Sequence, residues 1–279
     1  MIIEQVLRQA AQRLSLVSET AQLDAQLLLA HIMSVSTTHF YTWPDKDVAD
    51  QQLREFEQLL VRREQGEPIA YIVGEQGFWD LTLETSPCTL IPRADTERLV
   101  EVALDKLATL KAPRILDLGT GTGAIALALA HELNQATVMG IDFQESAVAL
   151  AQRNAQRNAI DNAAFRQSDW FSGVKEQQRF DVIVSNPPYI DPEDAHLNQG
   201  DVRFEPLSAL VAQDHGLADI RHIVANAQTH LVEGGWLMFE HGYDQGAAVR
   251  SLLVAACYQE VETFQDFGRN DRVTIGRKA

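Results

Sequence analysis

Arg114-Ile-Leu-Asp-Leu-Gly-Thr-Gly-Thr-Gly123 begins as an apolar run around one aspartate and then places a glycine at every second position before the apolar stretch Ala124 to Ala130. A short apolar run that ends in glycines and continues as an apolar helix describes a buried parallel strand, a tight loop and a helix N-terminus. The strand is expected at 114 to 118 and the helix at 123 to 132. Outward from this point, strands at 136 to 142, 163 to 167, 180 to 185 and 235 to 240 alternate with helices at 145 to 158, 217 to 232 and 244 to 256, and a helix at about 96 to 110 precedes them. Such alternation predicts an α/β, Rossmann-like fold: a mostly parallel sheet with helices on both faces.

The first 75 residues follow a different period. Leu23, Leu27 and Leu28, then Leu53, Phe56, Leu59 and Leu60, recur at helical spacing, with Ser18-Glu-Thr-Ala as an N-cap and Gly66 with Pro68 as a stop. A small helical bundle is expected over 1 to 75. Between 76 and 92 the alternation of Phe78, Trp79, Leu81 and Leu83 before Ser86-Pro87 reads as a β-hairpin linker. The α/β domain then occupies 93 to 279. Ile190 to Pro206 is long for an α/β connection, and long loops at strand ends tend to be functional lids.

Gly119, Gly121 and Gly123 let the backbone approach a ligand, and the helix that follows offers unpaired amides and a positive dipole end. Asp142, at the end of the next strand, stands where an acid would hold ribose hydroxyls. NAD and S-adenosylmethionine would use that acid identically. Asp117 would lie near a cationic amino-acid moiety, or serve as a loop-bracing carboxylate. Asp169 can accept an adenine amine and Trp170 can lie against the ring, although the indole could equally be core packing.

The cofactor choice turns on Asn186-Pro187-Pro188-Tyr189, which closes the apolar run Phe180-Asp-Val-Ile-Val-Ser185. Nothing downstream resembles a hydride-transfer acid. An amide or exocyclic amine is a poor nucleophile because its lone pair is delocalised. The Asn186 side-chain oxygen and the Pro187 carbonyl can accept its two hydrogens, holding the lone pair in line with a transferable methyl. The two prolines fix the backbone that carries these acceptors, and Tyr189 is expected to stack on the flat group and exclude water. Glycine loop and tetrapeptide together predict an S-adenosylmethionine-dependent enzyme that methylates a planar nitrogen.

Composition narrows the acceptor. An excess of 39 acids over 23 bases, net −16, is the wrong sign for a protein that neutralises nucleic-acid phosphates. An adenine-N6 methyltransferase would need a basic track and base flipping, so direct DNA binding is not expected. A non-catalytic cofactor-binding module is disfavoured because both motifs are intact. Met1-Ile-Ile-Glu-Gln starts an amphipathic pattern rather than a signal peptide, and no apolar run is long enough to span a bilayer. A cytoplasmic, monomeric protein without membrane association is expected. Cys88 and Cys257, with no CxxC and no nearby histidine at ligand spacing, point to reduced thiols and to no metal.

The chain resembles the release factor glutamine N5-methyltransferases, nearly end to end. The likeness is carried by Gly66-Glu-Pro-Ile-Ala70, Leu90-Ile-Pro-Arg-Ala-Asp-Thr-Glu97, Ile115 to Ala130, Ser168-Asp-Trp-Phe171, Val184 to Ile190, Phe204-Glu-Pro206 and Glu240-His-Gly-Tyr-Asp-Gln245. Leu-Ile-Pro-Arg is its specific part, and Ala94 stands where the family usually has proline. The resemblance implies methyl transfer from S-adenosylmethionine to the glutamine of the Gly-Gly-Gln motif in class-1 peptide chain release factors, supporting translation termination. It also implies cofactor contacts from Gly119, Thr120, Gly121, Thr122, Gly123, Asp142, Trp170 and Asn186, and glutamine contacts from Asn186, Pro187, Pro188 and Tyr189. The helical domain would help recognise the release factor. Arg93 and Glu97 could brace the loop above the site or touch substrate.

Overall fold

Apolar residues at helical spacing fold the N-terminal segment into α1 (Ile3–Leu14), α2 (Ala21–Met33), α3 (Thr38–Thr42), α4 (Asp50–Glu64) and α5 (Ile69–Val73) in a computed structural model that describes residues 1 to 279. Their inward faces, including Ile3, Leu14, Leu28, Leu29, Phe56 and Leu60, form one apolar core. The α2 cap falls at Thr20, whose hydroxyl donates to Asp24 Oδ1 at 2.9 Å rather than bonding a helix amide. Ser18 instead accepts the Thr20 N–H at 3.1 Å and shapes the turn before the helix. Arg63 is buried here, donating to Asp24 Oδ2 at 2.7 Å and to Asp201 Oδ1 at 2.9 Å. Asp201 belongs to a segment, His196–Phe204, that clusters with Met1–Glu75 as one compact unit.

The second unit comprises Gln76–Ala195 and Glu205–Ala279. A hairpin of β1 (Glu75–Phe78) and β2 (Leu81–Glu84) leads to α6 (Ala94–Leu107). The alternating β3 (Arg114–Leu118), α7 (Ala124–Glu132), β4 (Thr137–Asp142), α8 (Glu145–Arg157), β5 (Ala163–Gln167) and β6 (Phe180–Ser185) follow. After a short turn, α9 (Gln213–Gly216), come α10 (Ala218–Ala227), β7 (Leu231–Glu240), α11 (Gly246–Ala255), β8 (Gln259–Gln265) and β9 (Asp271–Arg277). The hairpin is bound to this unit: Phe78, Leu81 and Leu83 join the core cluster of α6 and α7. Asn154 and Asn158 on α8 bond the β2 backbone as a neighbouring strand would. Asn154 accepts from Glu84 N and donates to Glu84 O, and Asn158 does the same at Thr82.

The strands form one seven-stranded sheet in the order β5-β4-β3-β6-β7-β9-β8. Its first five strands are parallel; β9 runs antiparallel to β7, and β8 to β9. From β3 the chain steps through β4 to β5, then returns across β3 to lay down β6 and β7 on the other side. The order reverses between β3 and β6, and ligands of open α/β sheets bind outside the carboxyl ends of strands at such a reversal. One apolar cluster fills each face.

Strand β7 begins four residues before the expected 235, because Gly234 (φ 74°) and Gly235 sit inside it where a register shift against β6 occurs. Helix α10 is correspondingly shorter than expected and gives way to a 3₁₀ turn, Gln228–His230. No helix is long and apolar enough to cross a membrane.

Candidate active site

The reversal point brings the two sequence motifs side by side. Leu118 pairs with Ser185 across β3 and β6, and the Ser185 hydroxyl donates to Leu118 O at 2.7 Å, so Gly119 and Asn186 leave adjacent strands at the same level. The amides of Gly119 and Thr120 both donate to Ile141 O at 2.9 Å, turning the chain sharply. Gly119 (φ 73°) and Gly121 (φ 55°) would bring an added Cβ no nearer than 3.9 Å to Trp170 and Thr89, so these glycines are set by their left-handed backbone rather than by crowding. Gly123 differs: a Cβ there would press on Ala151 and Leu127 at 3.1 Å, so this glycine serves close helix packing. Thr120 donates to Asp117 Oδ2 at 2.6 Å and Thr122 O accepts from buried Asn154 at 2.9 Å, which pins the loop from below.

A cavity of about 290 Å³ opens above this loop. Asp142 lies on its wall, with Oδ2 accepting the Gly121 amide and Oδ1 the Gln144 amide, both at 2.9 Å. Burial raises its carboxyl pKa while these backbone bonds lower it. The Phe143 amide acts on the same carboxylate, which still has acceptor capacity facing the cavity. Asp169 and Trp170 form the next part of the wall after β5, with Phe143 and Asp219 nearby. Asp219 is also pushed up, chiefly by burial. Bare glycine backbone, a ribose-type acid and an indole with an acid beside it fit an adenosine-bearing cofactor.

Asn186 and Pro188 complete the wall beside the glycine loop. Asn186 Nδ2 donates to Thr96 Oγ1 at 3.3 Å, and Thr96 lies in the first turn of α6. Tyr189 turns its hydroxyl to Glu240 Oε1 at 3.4 Å, and burial pushes its pKa up. The Tyr189 carbonyl accepts from Gln245 Nε2 at 2.9 Å; the same amide nitrogen donates to His215 O at 3.1 Å. Gly216 (φ 79°) packs so closely that a Cβ would fall 2.0 Å from that carbonyl. The tetrapeptide is thus gripped along its backbone as well as by its prolines.

Of the residues singled out in the sequence, Gly119, Thr120, Gly121, Thr122, Asp142, Asp169, Trp170, Asn186 and Pro188 share the cavity wall. Asp117, Gly123, Pro187 and Tyr189 lie outside it. Asp117 is fully buried beneath the loop, where burial raises its pKa to about 7 against the Thr120 and Ala126 hydrogen bonds. Arg93 donates to Glu205 Oε1 at 2.8 Å, and Glu205 Oε2 accepts the Ile91 amide at 3.1 Å, so both ends of that contact brace the Leu90-Ile-Pro-Arg segment. Glu97 accepts the Trp79 amide at 2.8 Å and steadies the hairpin. Thr96, Glu240 and Gln245 sit within motifs quoted for the resemblance, but only the fold reveals what they touch. Cys88, a free thiol, also reaches the wall.

The fold and this site define a Rossmann-like methyltransferase. A family model described as a methyltransferase domain matches residues 110–264, and one described as the PrmC N-terminal domain matches residues 5–74. Among solved structures, the hMettl16 catalytic domain in complex with an RNA hairpin superposes with a TM-score of 0.61 at 15% identity, covering 90% of each chain. A T. thermophilus 16S rRNA N2 methyltransferase in complex with AdoMet and guanosine gives 0.55 at 22% identity, over 74% of this chain and 50% of that one. Curated relatives are far nearer in sequence. The release factor glutamine methyltransferase of Vibrio cholerae is 54% identical over 99% of this chain and 96% of its own length. That of Escherichia coli is 52% identical over 97% of both, and that of Pseudomonas aeruginosa 55% over 94% of both. The chain belongs to the release factor glutamine methyltransferase family.

Proposed function

We propose that the protein transfers a methyl group from S-adenosylmethionine to the side-chain amide nitrogen of a release factor glutamine, the one in the Gly-Gly-Gln motif of class-1 factors. The observation that carries this reading is the in-register meeting of the glycine loop and Asn186-Pro187-Pro188-Tyr189 at the sheet's reversal point. Bound S-adenosylmethionine supplies an electrophilic methyl on a positively charged sulfur. Asp142 takes the ribose, the loop from Gly119 to Thr122 runs along the cofactor with Gly123 packing the helix behind it, and Asp169 with Trp170 holds the adenine. Asp117 braces the loop through Thr120 and places a carboxylate beneath a cationic ligand.

Asn186 Oδ1 and the Pro187 carbonyl accept the two hydrogens of the glutamine amide and orient its lone pair toward the methyl. Pro188 walls the acceptor, and the Tyr189 ring, anchored through its hydroxyl, bounds it from outside the cavity wall. Once alkylated, the nitrogen is strongly acidic and releases its proton to water. The helical unit contributes to release factor recognition, and the chain's net charge of −16 suits a protein partner whose own work requires binding RNA.

The direct test is transfer of labelled methyl to three substrates in parallel: unmodified release factor, its Gly-Gly-Gln glutamine-to-alanine variant, and adenine-containing DNA. Label on the wild-type factor alone is expected. Label on DNA would overturn the assignment.

A further inference from the structure

His241 directly follows the last residue of β7 and is fully buried. Its Nδ1 lies 2.8 Å from Gly242 O, and its Nε2 lies 2.7 Å from Thr274 Oγ1. A carbonyl oxygen can only accept, so Nδ1 must carry a hydrogen. Burial pushes the ring's pKa down against that bond, which leaves the ring neutral and Nε2 bare. The far side of the ring agrees. Arg250 Nη1, which can only donate, gives a hydrogen to Thr263 Oγ1 at 2.6 Å. The Thr263 and Thr274 hydroxyls meet at 2.7 Å, so Thr263 donates to Thr274 and Thr274 donates to Nε2. Thr274 is also fully buried, which shields this order from solvent.

The same sense continues beyond the ring. Gly242 O also accepts the Gln245 backbone amide at 2.9 Å, and the Gly242 amide donates to Gln245 Oε1 at 2.8 Å. With its oxygen so held, Gln245 turns its NH₂ to Tyr189 O at 2.9 Å and His215 O at 3.1 Å. Resting on the proposed function, we infer that His241 is a positioning residue for methyl transfer: as the Nδ1–H tautomer it fixes the Gly242 turn, and through Gln245 it holds the backbone of Asn186-Pro187-Pro188-Tyr189. The other neutral tautomer, with its hydrogen on Nε2, would set a lone pair against the Gly242 carbonyl and release the turn.

Two measurements on the full-length protein test this. Isotope-edited NMR of histidine-labelled protein, with the His241 signals identified by their loss in His241→Asn, is expected to show Nδ1 protonated and Nε2 bare at neutral pH. A hydrogen on Nε2 would overturn the inference. The second measurement is a double-mutant cycle on methyl transfer to purified release factor. His241→Leu and Gln245→Met keep bulk and remove the hydrogen bonds; each is expected to lower kcat by about 10- to 100-fold, with calorimetric cofactor affinity held within about threefold. The double variant should match Gln245→Met within about threefold, because both side chains act through one turn. His241→Asn, whose amide nitrogen can stand where Nδ1 stands, should be at least about threefold faster than His241→Leu. Losses that multiply in the double variant, an unchanged kcat in either single variant, or equal losses in the leucine and asparagine variants would each refute the role. If His241→Leu does not bind cofactor, the NMR tautomer and Gln245→Met carry the test. Absence of transfer by the wild type would instead remove the function on which the inference rests, and the NMR result would stand apart from it.

Discussion

Asp142→Ala tests the proposed cofactor site apart from the proposed methyl-acceptor site. In the structure both carboxylate oxygens already accept a backbone amide, Gly121 and Gln144, each at 2.9 Å. With the Phe143 amide also acting on it, the carboxylate keeps charge and acceptor capacity for the ribose hydroxyls of the proposed cofactor site. Losing a charged acceptor of this kind should weaken binding by about 1.5 to 3 kcal/mol. That is a rise in Kd of about 10- to 150-fold. Because the ribose is common to S-adenosylmethionine and its demethylated product S-adenosylhomocysteine, isothermal titration calorimetry should find the same loss for both ligands. Asp142→Asn should fare little better, since its NH₂ would have to face one of the two backbone amides that now donate to an oxygen. Unchanged affinity would place the ribose elsewhere. A loss confined to the sulfonium ligand would mean that Asp142 acts on the charge, and the ribose argument would fail.

Asn186→Ala should abolish turnover while leaving calorimetric affinity for the cofactor within about threefold, because its proposed oxygen acts on the acceptor amide; comparable rates for variant and wild type would sink the mechanism. Asp117 holds its proton up to about 7 in the folded, cofactor-free protein, against 3.8 ordinarily. The unfolded chain releases that proton first, so this group lowers stability as pH climbs from about 4 to about 7 and adds nothing further above. Urea unfolding of Asp117→Asn should therefore gain on wild type across that window, and a flat difference would return the carboxyl to an ordinary pKa. Gly216→Ala should cost at least about 1 to 2 kcal/mol from the left-handed backbone alone. Its Cβ would also displace the Tyr189 carbonyl, so kcat should fall as well; wild-type kcat with normal melting would show that the tetrapeptide backbone is not held there.

What could be read from the sequence was what lies contiguous along it. Arg114 to Gly123 and Asn186 to Tyr189 each carry their chemistry within ten residues, and the parallel strands announce themselves as unbroken apolar runs. Strands β8 and β9 were not anticipated. β8 is an edge strand with register shifts against β9, so its apolar residues Val261 and Phe264 do not alternate. The position of Asp117 at a strand end was legible, but not that its carboxylate turns under the glycine loop to Thr120. Thr96, Glu205, Glu240 and Gln245 act on residues 51 to 114 positions away, through contacts that no local pattern encodes. The tetrapeptide is contiguous and legible, whereas the side chains that contact it are scattered over the chain.

The segment His196–Phe204 gives the helical unit an unusual parentage. It is completed by nine residues that the chain delivers only after it has built β6 and the tetrapeptide. Arg63 waits for Asp201 across 138 positions of sequence. A ribosome that has finished residue 75 has therefore not finished this unit, and no single cut can detach it whole. Modules joined by one linker can be exchanged between proteins by recombination at one point. Here any such exchange would have to rewrite the stretch that follows Asn186-Pro187-Pro188-Tyr189, which ties inheritance of the helical unit to inheritance of the α/β unit.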